Sequence, residues 1–159
     1  MTEDHTQWLS AEEQRTWLAV WSVTDWLPTR LDEQLKRDSG VNLHDYFALA
    51  QISMAPDERL TMTDLAALSD MSPSRLSHVV ARLERRGWVV RSPSETDRRT
   101  NIASLTDEGR AFIREAAPGH VTRARELVFD PLTKDEVESL GTILNKILTA
   151  LDPPLLPRT

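Results

Sequence analysis

The most informative segment of this chain spans residues 72–101 and reads SPSRLSHVVARLERRGWVVRSPSETDRRTN. Ser72 followed by Pro73 is typical of a helix start, because the serine hydroxyl can accept a free backbone N–H and proline has none to satisfy. Gly87 is typical of the left-handed residue that ends a helix. We therefore predict a helix over about residues 73–86. One stripe of apolar residues recurs at helical spacing and is predicted to be buried: Leu76, Val79, Val80 and Leu83.

The residues on either side of this helix complete a compact unit. A shorter helix that starts near Thr63 and a turn at 69–71 precede it, at the spacing of a helix-turn-helix. Two short β-prone runs, 88–91 and 101–105, follow it and flank a polar loop that holds Pro93, which predicts a hairpin. The predicted fold is mainly α with a small β-hairpin wing, that is, a winged helix-turn-helix.

Both ends of the chain are predicted to be helical. Capping-box patterns begin at Ser10 and Thr133, and Thr106 is a third helix cap. The terminal helices carry more apolar residues than a domain of this size needs, which favours a two-fold interface between two copies. We expect Pro28 to bend or divide the first helix, and the Pro118-Gly119 pair to kink or interrupt the fifth. The predicted regions are a flexible N-terminus (1–9), a helical dimerisation region (10–40 and 106–151), a winged helix-turn-helix lobe (42–105) and a tail (152–159).

The composition excludes several classes of protein. The 159 residues contain no cysteine, which excludes disulfides, cysteine-ligated metals and thiol redox chemistry in this chain. No apolar run is long enough to span a bilayer and the first residues are polar, so we expect a cytoplasmic protein with no membrane partner. The sequence has no nucleophile elbow, phosphate loop or dinucleotide-binding turn. We therefore predict neither enzymatic activity nor a cofactor.

Charge is distributed unevenly along the chain. The net charge is −6, but residues 71–101 hold seven arginines against three acids, a local balance of +4. Because salt screens exposed charges beyond about 8 Å, this local balance matters more than the total. A basic patch on an otherwise acidic chain favours nucleic-acid binding through one face. An ordinary solvated arginine-rich face is the alternative.

The basic helix has the properties of a recognition helix, whose N-terminal residues meet base edges in the major groove. We predict Arg75 and Arg82 as its main base or phosphate contacts, because arginine can donate two hydrogen bonds to guanine O6 and N7. The alternative for each is a surface charge that pairs with Glu84 or with solvent.

The tip of the hairpin is the second predicted contact. An arginine of Asp97-Arg98-Arg99 can enter the minor groove, and Asp97 is then expected to orient Arg99 through a charged hydrogen bond. The complete set of predicted DNA-contacting residues is Ser72, Ser74, Arg75, Ser77, His78, Arg82, Asp97, Arg98 and Arg99.

Three runs of this sequence resemble the MarR (multiple antibiotic resistance regulator) family of winged helix-turn-helix repressors. They are SRLSHVVARLERRG at 74–87, TDRR at 96–99 and LTDEG at 105–109. The resemblance covers about residues 15–150 and is most specific over 63–110.

This resemblance implies a sequence-specific transcriptional regulator that acts as a ligand-responsive repressor. It implies a homodimer, joined by its terminal helices, that binds double-stranded DNA at a pseudo-palindromic operator with one recognition helix per half-site. It also implies that Arg99 is the minor-groove arginine and that Asp97 is its partner. A small aromatic or phenolic effector would bind between the dimer region and the DNA-binding lobe.

The residues of an effector site are less clearly indicated. Trp17 and Trp21 lie one helical turn apart and could form a flat wall for an aromatic effector, with His44 lining the same cleft. The alternative is that both tryptophans belong to the core or to the dimer interface. Four scattered histidines leave a metal-responsive regulator as an alternative function, but no close His-x-x-x-His pair exists and we predict no metal site. A winged-helix module that binds protein is a further alternative.

Overall fold

The structure is a computed structural model that describes residues 6–155. The predictions for residues 1–5 and 156–159, within the flexible N-terminus and the tail, lie outside the described residues. The six α-helices are α1 (Ala11–Ser39), α2 (Leu43–Met54), α3 (Met62–Leu68), α4 (Pro73–Arg85), α5 (Asp107–Ala124) and α6 (Lys134–Leu151). The three strands are β1 (Arg59–Thr61), β2 (Val89–Pro93) and β3 (Asn101–Leu105).

Local capping interactions set the predicted helix boundaries. The Ser10 hydroxyl accepts from the Glu13 backbone N–H at 3.2 Å, and the Glu13 carboxylate accepts from the Ser10 N–H at 2.7 Å. The Ser72 hydroxyl accepts from the Arg75 N–H at 3.3 Å, so α4 begins where predicted. Gly87 follows α4 with a φ of +74°, the left-handed conformation expected of it. The predicted caps Thr106 and Thr133 are also confirmed.

The wing is a three-stranded antiparallel sheet in the order β1-β3-β2. The predicted hairpin is confirmed, with Val89 opposite Leu105 at its base. The first strand was not predicted: it is only three residues long, and Leu60 pairs with Ala103 across the fold. It leads directly into α3, which begins at Met62, one residue before the predicted start near Thr63.

The helix-turn-helix and the sheet enclose the main core. Gly109 allows α5 to approach this core closely, because a Cβ at that position would lie 2.1 Å from the Trp88 carbonyl oxygen. This contact gives a physical reason for the glycine of the LTDEG run. The core consists of Ala48, Leu49, Ile52, Leu65, Ala66, Met71, Leu76, Val79, Val80, Leu83, Val89, Ala103 and Leu105.

Neither internal proline divides or interrupts its helix, so the expectation of a break at Pro28 or at Pro118-Gly119 is wrong. α1 continues through Pro28, and α5 continues through Pro118. Each proline removes one backbone donor, but the helix around Pro118 is held by packing of the buried Ala116 against the lobe. The irregularity comes later, where Arg125–Phe129 forms a π-helical turn after α5.

The terminal helices are mostly unpacked in the single chain. Only Gln34 and Leu35 of α1 are buried, and no residue of α6 is. Leu35 packs with Tyr46 and Ala116 in a small cluster that joins the end of α1 to the lobe. Among the described helices, none combines the length and the apolar composition that crossing a bilayer requires.

Candidate nucleic-acid interface

The first two turns of α4 present polar side chains to solvent. The opposite side of the helix is closed against the core, where its four predicted apolar residues are at most 2% exposed. Ser72 is exposed as well, although its hydroxyl already caps the helix. The exposed polar residues of these turns are Ser74, Arg75, Ser77 and His78, all of which the sequence predicted as DNA contacts.

The wing packs beside this part of α4. A cavity of about 210 Å³ between them is lined by Pro73 and Ser77 of α4, Arg91 of β2 and Asn101 of β3, together with residues of α3. The N-terminal half of the helix and the strands of the wing therefore form neighbouring parts of one surface. This arrangement matches a helix in the major groove and a wing on the adjoining backbone.

Two arginines of the basic segment are neutralised within the chain. Arg82 donates from Nη2 to Asp45 Oδ1 at 2.6 Å and from Nε to Oδ2 at 3.3 Å. Arg91 donates from Nη2 to Glu84 Oε2 at 2.6 Å, and this hydrogen bond lowers the pKa of the Glu84 carboxyl below its usual value. Arg82 was predicted to contact DNA; in the free protein its guanidinium is instead held by Asp45, whose side chain is only 7% exposed.

Arg75 is paired with an imidazole and not with a carboxylate. Its Nη2 lies 2.7 Å from His44 Nε2, on the first turn of α2. Arg86, at the end of α4, donates to the Gly40 carbonyl oxygen at 3.1 Å and lies over the Trp88 ring. Arg75 therefore keeps its charge without a carboxylate, whereas Arg86 links the lobe to the end of α1.

The wing tip forms a compact polar turn around Asp97. Its Oδ1 accepts from the Arg99 backbone N–H at 3.0 Å, and its Oδ2 accepts from the Thr100 hydroxyl at 3.0 Å. Asp97 thus holds the backbone of Arg99, and not its guanidinium. Within residues 6–155, no carboxylate lies within salt-bridge distance of the exposed Arg98 and Arg99 side chains.

The predicted effector residues do not form one cleft within a single chain. Trp17 and Trp21 do lie together, with ring centroids 5.9 Å apart, and their side chains are 52% and 55% exposed. His44 lies beside Arg75, near the place where Asp32 of α1 accepts from the backbone of Leu43. Because Trp21 precedes Asp32 by eleven residues, it lies about 16 Å further along α1.

The contacts of His44 and Asp45 were missed from the sequence. His44 is 31 residues from Arg75, and Asp45 is 37 residues from Arg82, so no local spacing links them. Over the described part of the chain, no three histidine or acidic side chains gather as metal ligands would.

Comparison with known proteins places this arrangement among regulators. The model of the MarR family matches residues 39–100. The HTH-type transcriptional regulator PapX of Escherichia coli is 32% identical over 109 residues, which cover 69% of this chain and 66% of PapX. The transcriptional repressor MprA of E. coli K12 is 27% identical over 119 residues, which cover 75% of this chain and 67% of MprA. The chain thus aligns with about two thirds of each of these relatives.

A solved structure matches almost the whole chain. Sco3205, a MarR family transcriptional regulator from Streptomyces coelicolor whose crystal structure is a complex with DNA, is 43% identical, with a TM-score of 0.88. The match covers 95% of this chain and 94% of Sco3205. Together with the helix-turn-helix, the wing and the exposed arginines, this similarity establishes that the chain belongs to the MarR family of transcriptional regulators.

Proposed function

We propose that this protein is a transcriptional repressor that binds a pseudo-palindromic operator as a homodimer. The observation that carries the proposal is the surface formed by the first turns of α4 and the wing tip. On a chain of net charge −6, this surface keeps Arg75, Arg98 and Arg99 free of carboxylate partners among the described residues. The DNA complex of Sco3205 and the repressor MprA support this assignment. A regulator of this kind works in the cytoplasm.

The proposed base-reading residues lie in the first two turns of α4. Arg75 can donate two hydrogen bonds to a guanine, while hydroxyls of the kind carried by Ser74 and Ser77 suit bases or phosphates. His78 lies on the same exposed side. Ser72 is assigned to capping α4 and not to base reading, because its hydroxyl already accepts from the Arg75 backbone N–H. Arg82 is assigned to holding α4 on α2 through Asp45 and not to the base edges.

The wing is proposed to hold the minor groove and the adjoining phosphates. Asp97 fixes the turn through the Arg99 N–H, so the two arginine side chains project from a backbone of defined shape. A narrow minor groove attracts arginine because its negative potential is enhanced. We assign Arg99 to the minor groove of the DNA and Arg98 to the adjoining DNA phosphates.

Dimerisation is proposed to use the terminal helices. Trp17, Trp21 and Trp26 of α1, and Ile143 and Ile147 of α6, are each at least 40% exposed in the single chain. A second copy would cover these apolar side chains and would set the two α4 helices at a fixed separation. Engaging successive major grooves requires a separation of about 34–36 Å.

The proposed effector is a small aromatic or phenolic molecule. The tilted Trp17 and Trp21 rings offer an apolar wall, and a site between the dimer region and the lobe must be completed by the second copy. The dimer can hold its two α4 helices at a separation that fits the operator or at one that does not. Such a ligand weakens operator binding only to the extent that it has a higher affinity for the second arrangement than for the first. Quenching of tryptophan fluorescence by p-coumaric acid, lost in Trp17→Leu, tests this part.

The DNA assignment is tested with duplexes taken from the region upstream of the protein's own reading frame. We expect footprinting to find a protected pseudo-palindrome, and affinity to fall steeply with salt, because phosphate contacts release counterions. Arg99→Ala should weaken binding without changing the dimer, whereas Arg114→Ala, which removes an exposed arginine of α5, should not. Unchanged operator affinity in Arg99→Ala would refute the assignment of the wing. Absence of binding at low salt would instead favour a protein-binding module.

A further inference from the structure

The first turn of α2 contacts two arginines of the recognition helix. Asp45 accepts two hydrogen bonds from Arg82, and its neighbour His44 contacts Arg75 at 2.7 Å. Arg75 and Arg82 are seven residues apart and share one side of α4. Two adjacent residues of α2 therefore hold the two arginines that the sequence singled out, but with different chemistry.

The two partners leave the arginines in different electrostatic states. The Asp45 carboxylate neutralises Arg82 and raises the pKa of its guanidinium, mainly through the hydrogen bond. An imidazole does not neutralise an arginine. Because a guanidinium can only donate, His44 Nε2 must be the acceptor, and the ring is then neutral with its hydrogen on Nδ1. Arg75 is oriented by this contact and keeps its full positive charge.

The position of His44 is itself fixed. Asn42 Oδ1 caps α2 by accepting from the Asp45 N–H at 2.9 Å, and Asp32 Oδ1 of α1 accepts from the Leu43 N–H at 2.8 Å. The backbone on both sides of His44 is thus anchored. A side chain mounted on anchored backbone can hold its partner in a defined direction.

We propose that His44 is a positioning residue for Arg75 and thereby helps to determine which base pair the recognition helix reads. An exposed arginine has many rotamers, and fixing its direction before binding lowers the entropy lost when it meets a guanine. The inference rests on the proposed function, in which Arg75 faces the DNA. It assigns His44 to operator specificity, in place of the effector cleft that the sequence suggested.

The test is a set of binding measurements by fluorescence anisotropy at fixed salt. The probes are the footprinted operator and duplexes with single base-pair substitutions in one half-site. The variants are Arg75→Ala, His44→Ala, His44→Gln and the double variant His44→Ala/Arg75→Ala. Arg85→Ala is the matched control, since it removes an exposed arginine of α4 whose side chain has no hydrogen bond or salt bridge to α2 among the described residues.

We expect Arg75→Ala to lose about 5- to 150-fold of discrimination at one base pair of the half-site. His44→Ala should lose part of the discrimination at the same base pair, and His44→Gln, which keeps an acceptor, should restore some of it. In the Arg75→Ala background, His44→Ala should have no further effect. Arg85→Ala should leave the discrimination unchanged.

Several results would overturn the inference. If His44→Ala weakens binding to all duplexes equally, or weakens it further in the Arg75→Ala background, then His44 contacts the DNA backbone itself. If Arg75→Ala changes no base preference while the wild-type protein binds the operator, then the positioning role of His44 is refuted. The proposed binding of the protein to DNA is not refuted by that result. Failure of the wild-type protein to bind any duplex would refute the proposed function. Nitrogen-15 NMR of the free protein gives an independent check: a hydrogen on Nε2 of neutral His44 would contradict the contact.

Discussion

The DNA-binding lobe and the terminal helices differ most in how they bury apolar side chains. In the lobe, the apolar stripe of α4 is at most 2% exposed, and Leu49 and Ile52 of α2 are fully enclosed. In α6 no residue is buried, and Ile143 and Ile147 are 53% and 40% exposed. The lobe has a core of its own, whereas the terminal helices have an apolar surface with nothing against it in the single chain.

This difference separates two sources of stability. The core of the lobe is enclosed within one chain, so the packing of that core does not depend on a partner. Apart from Gln34 and Leu35 at the end of α1, α1 and α6 have no buried residue in the single chain. In the proposed dimer a second copy would cover their apolar side chains to an extent that depends on protein concentration. In the proposed function the same division separates the roles of the two regions: the lobe presents the charged surface, and the helices would set the distance between two such surfaces.

The largest expected effect is that of charge placed on the exposed side of α6. Ile143→Glu/Ile147→Glu should convert the protein to monomers, because the glutamates would lose hydration at the interface. Operator affinity should fall about 100-fold or more with the loss of two-site binding. Sedimentation and anisotropy measure the two effects. Met54→Glu, at a lobe position as exposed as Ile143, is the control and should remain dimeric.

A cavity in the lobe should have the next largest effect. Leu49→Ala should lower the free energy of unfolding by about 2–5 kcal/mol, because Leu49 is fully buried and its neighbours cannot close the space. Urea denaturation measures this loss. Met54→Ala, on the exposed end of the same helix, should change it by no more than about 0.5 kcal/mol. Similar losses in the two variants would mean that the lobe has no enclosed core.

Removal of Arg82 should have a smaller effect, on stability and not on base reading. Arg82→Ala leaves the nearly buried Asp45 carboxylate without its partner, which should cost about 1–3 kcal/mol. The lower part of this range is expected because Arg82 is 40% exposed. In the double variant with Asp45→Ala, the loss should be less than the sum of the single losses. If Arg82→Ala lowered the discrimination between operator duplexes that differ at one base pair, Arg82 would instead be a DNA contact.

The smallest expected effect is a change in pH dependence. Burial lowers the pKa of His120 below its ordinary value of 6.5, and the ring lies 4.5 Å from that of Tyr46. As the pH falls below 6.5, the unfolded chain takes up a proton more readily than the folded one, so the free energy of unfolding decreases. His120→Phe keeps the ring and should reduce this decrease. Urea denaturation at a series of pH values measures the free energy of unfolding. The same dependence on pH in the variant and the wild type would contradict this role of His120.

Local signals in the sequence predicted the helices and the hairpin well. Ser10, Ser72, Thr106 and Thr133 cap helices where expected, because a cap depends only on residues within one turn. The periodic stripe of α4 likewise predicted its buried side. Interactions between residues close in the sequence were sufficient to predict these features.

Long-range contacts could not be predicted in the same way. β1 is a strand only because β3 pairs with it, some forty residues later in the chain. The contacts of His44 and Asp45 with α4 also join distant segments, so no local pattern in the sequence indicated that Arg75 and Arg82 have partners on α2. Pro118 was expected to interrupt α5, but packing of the helix against the lobe outweighed its local preference.

The most direct test is the stoichiometry and spacing of the complex with operator DNA. Sedimentation equilibrium of the protein with the footprinted duplex, combined with hydroxyl-radical footprinting, measures both. We predict two protomers per duplex and two protected segments whose centres lie about 10 base pairs apart, one helical turn of DNA. A single protomer bound to one protected segment would contradict the claim that two copies present their recognition helices together.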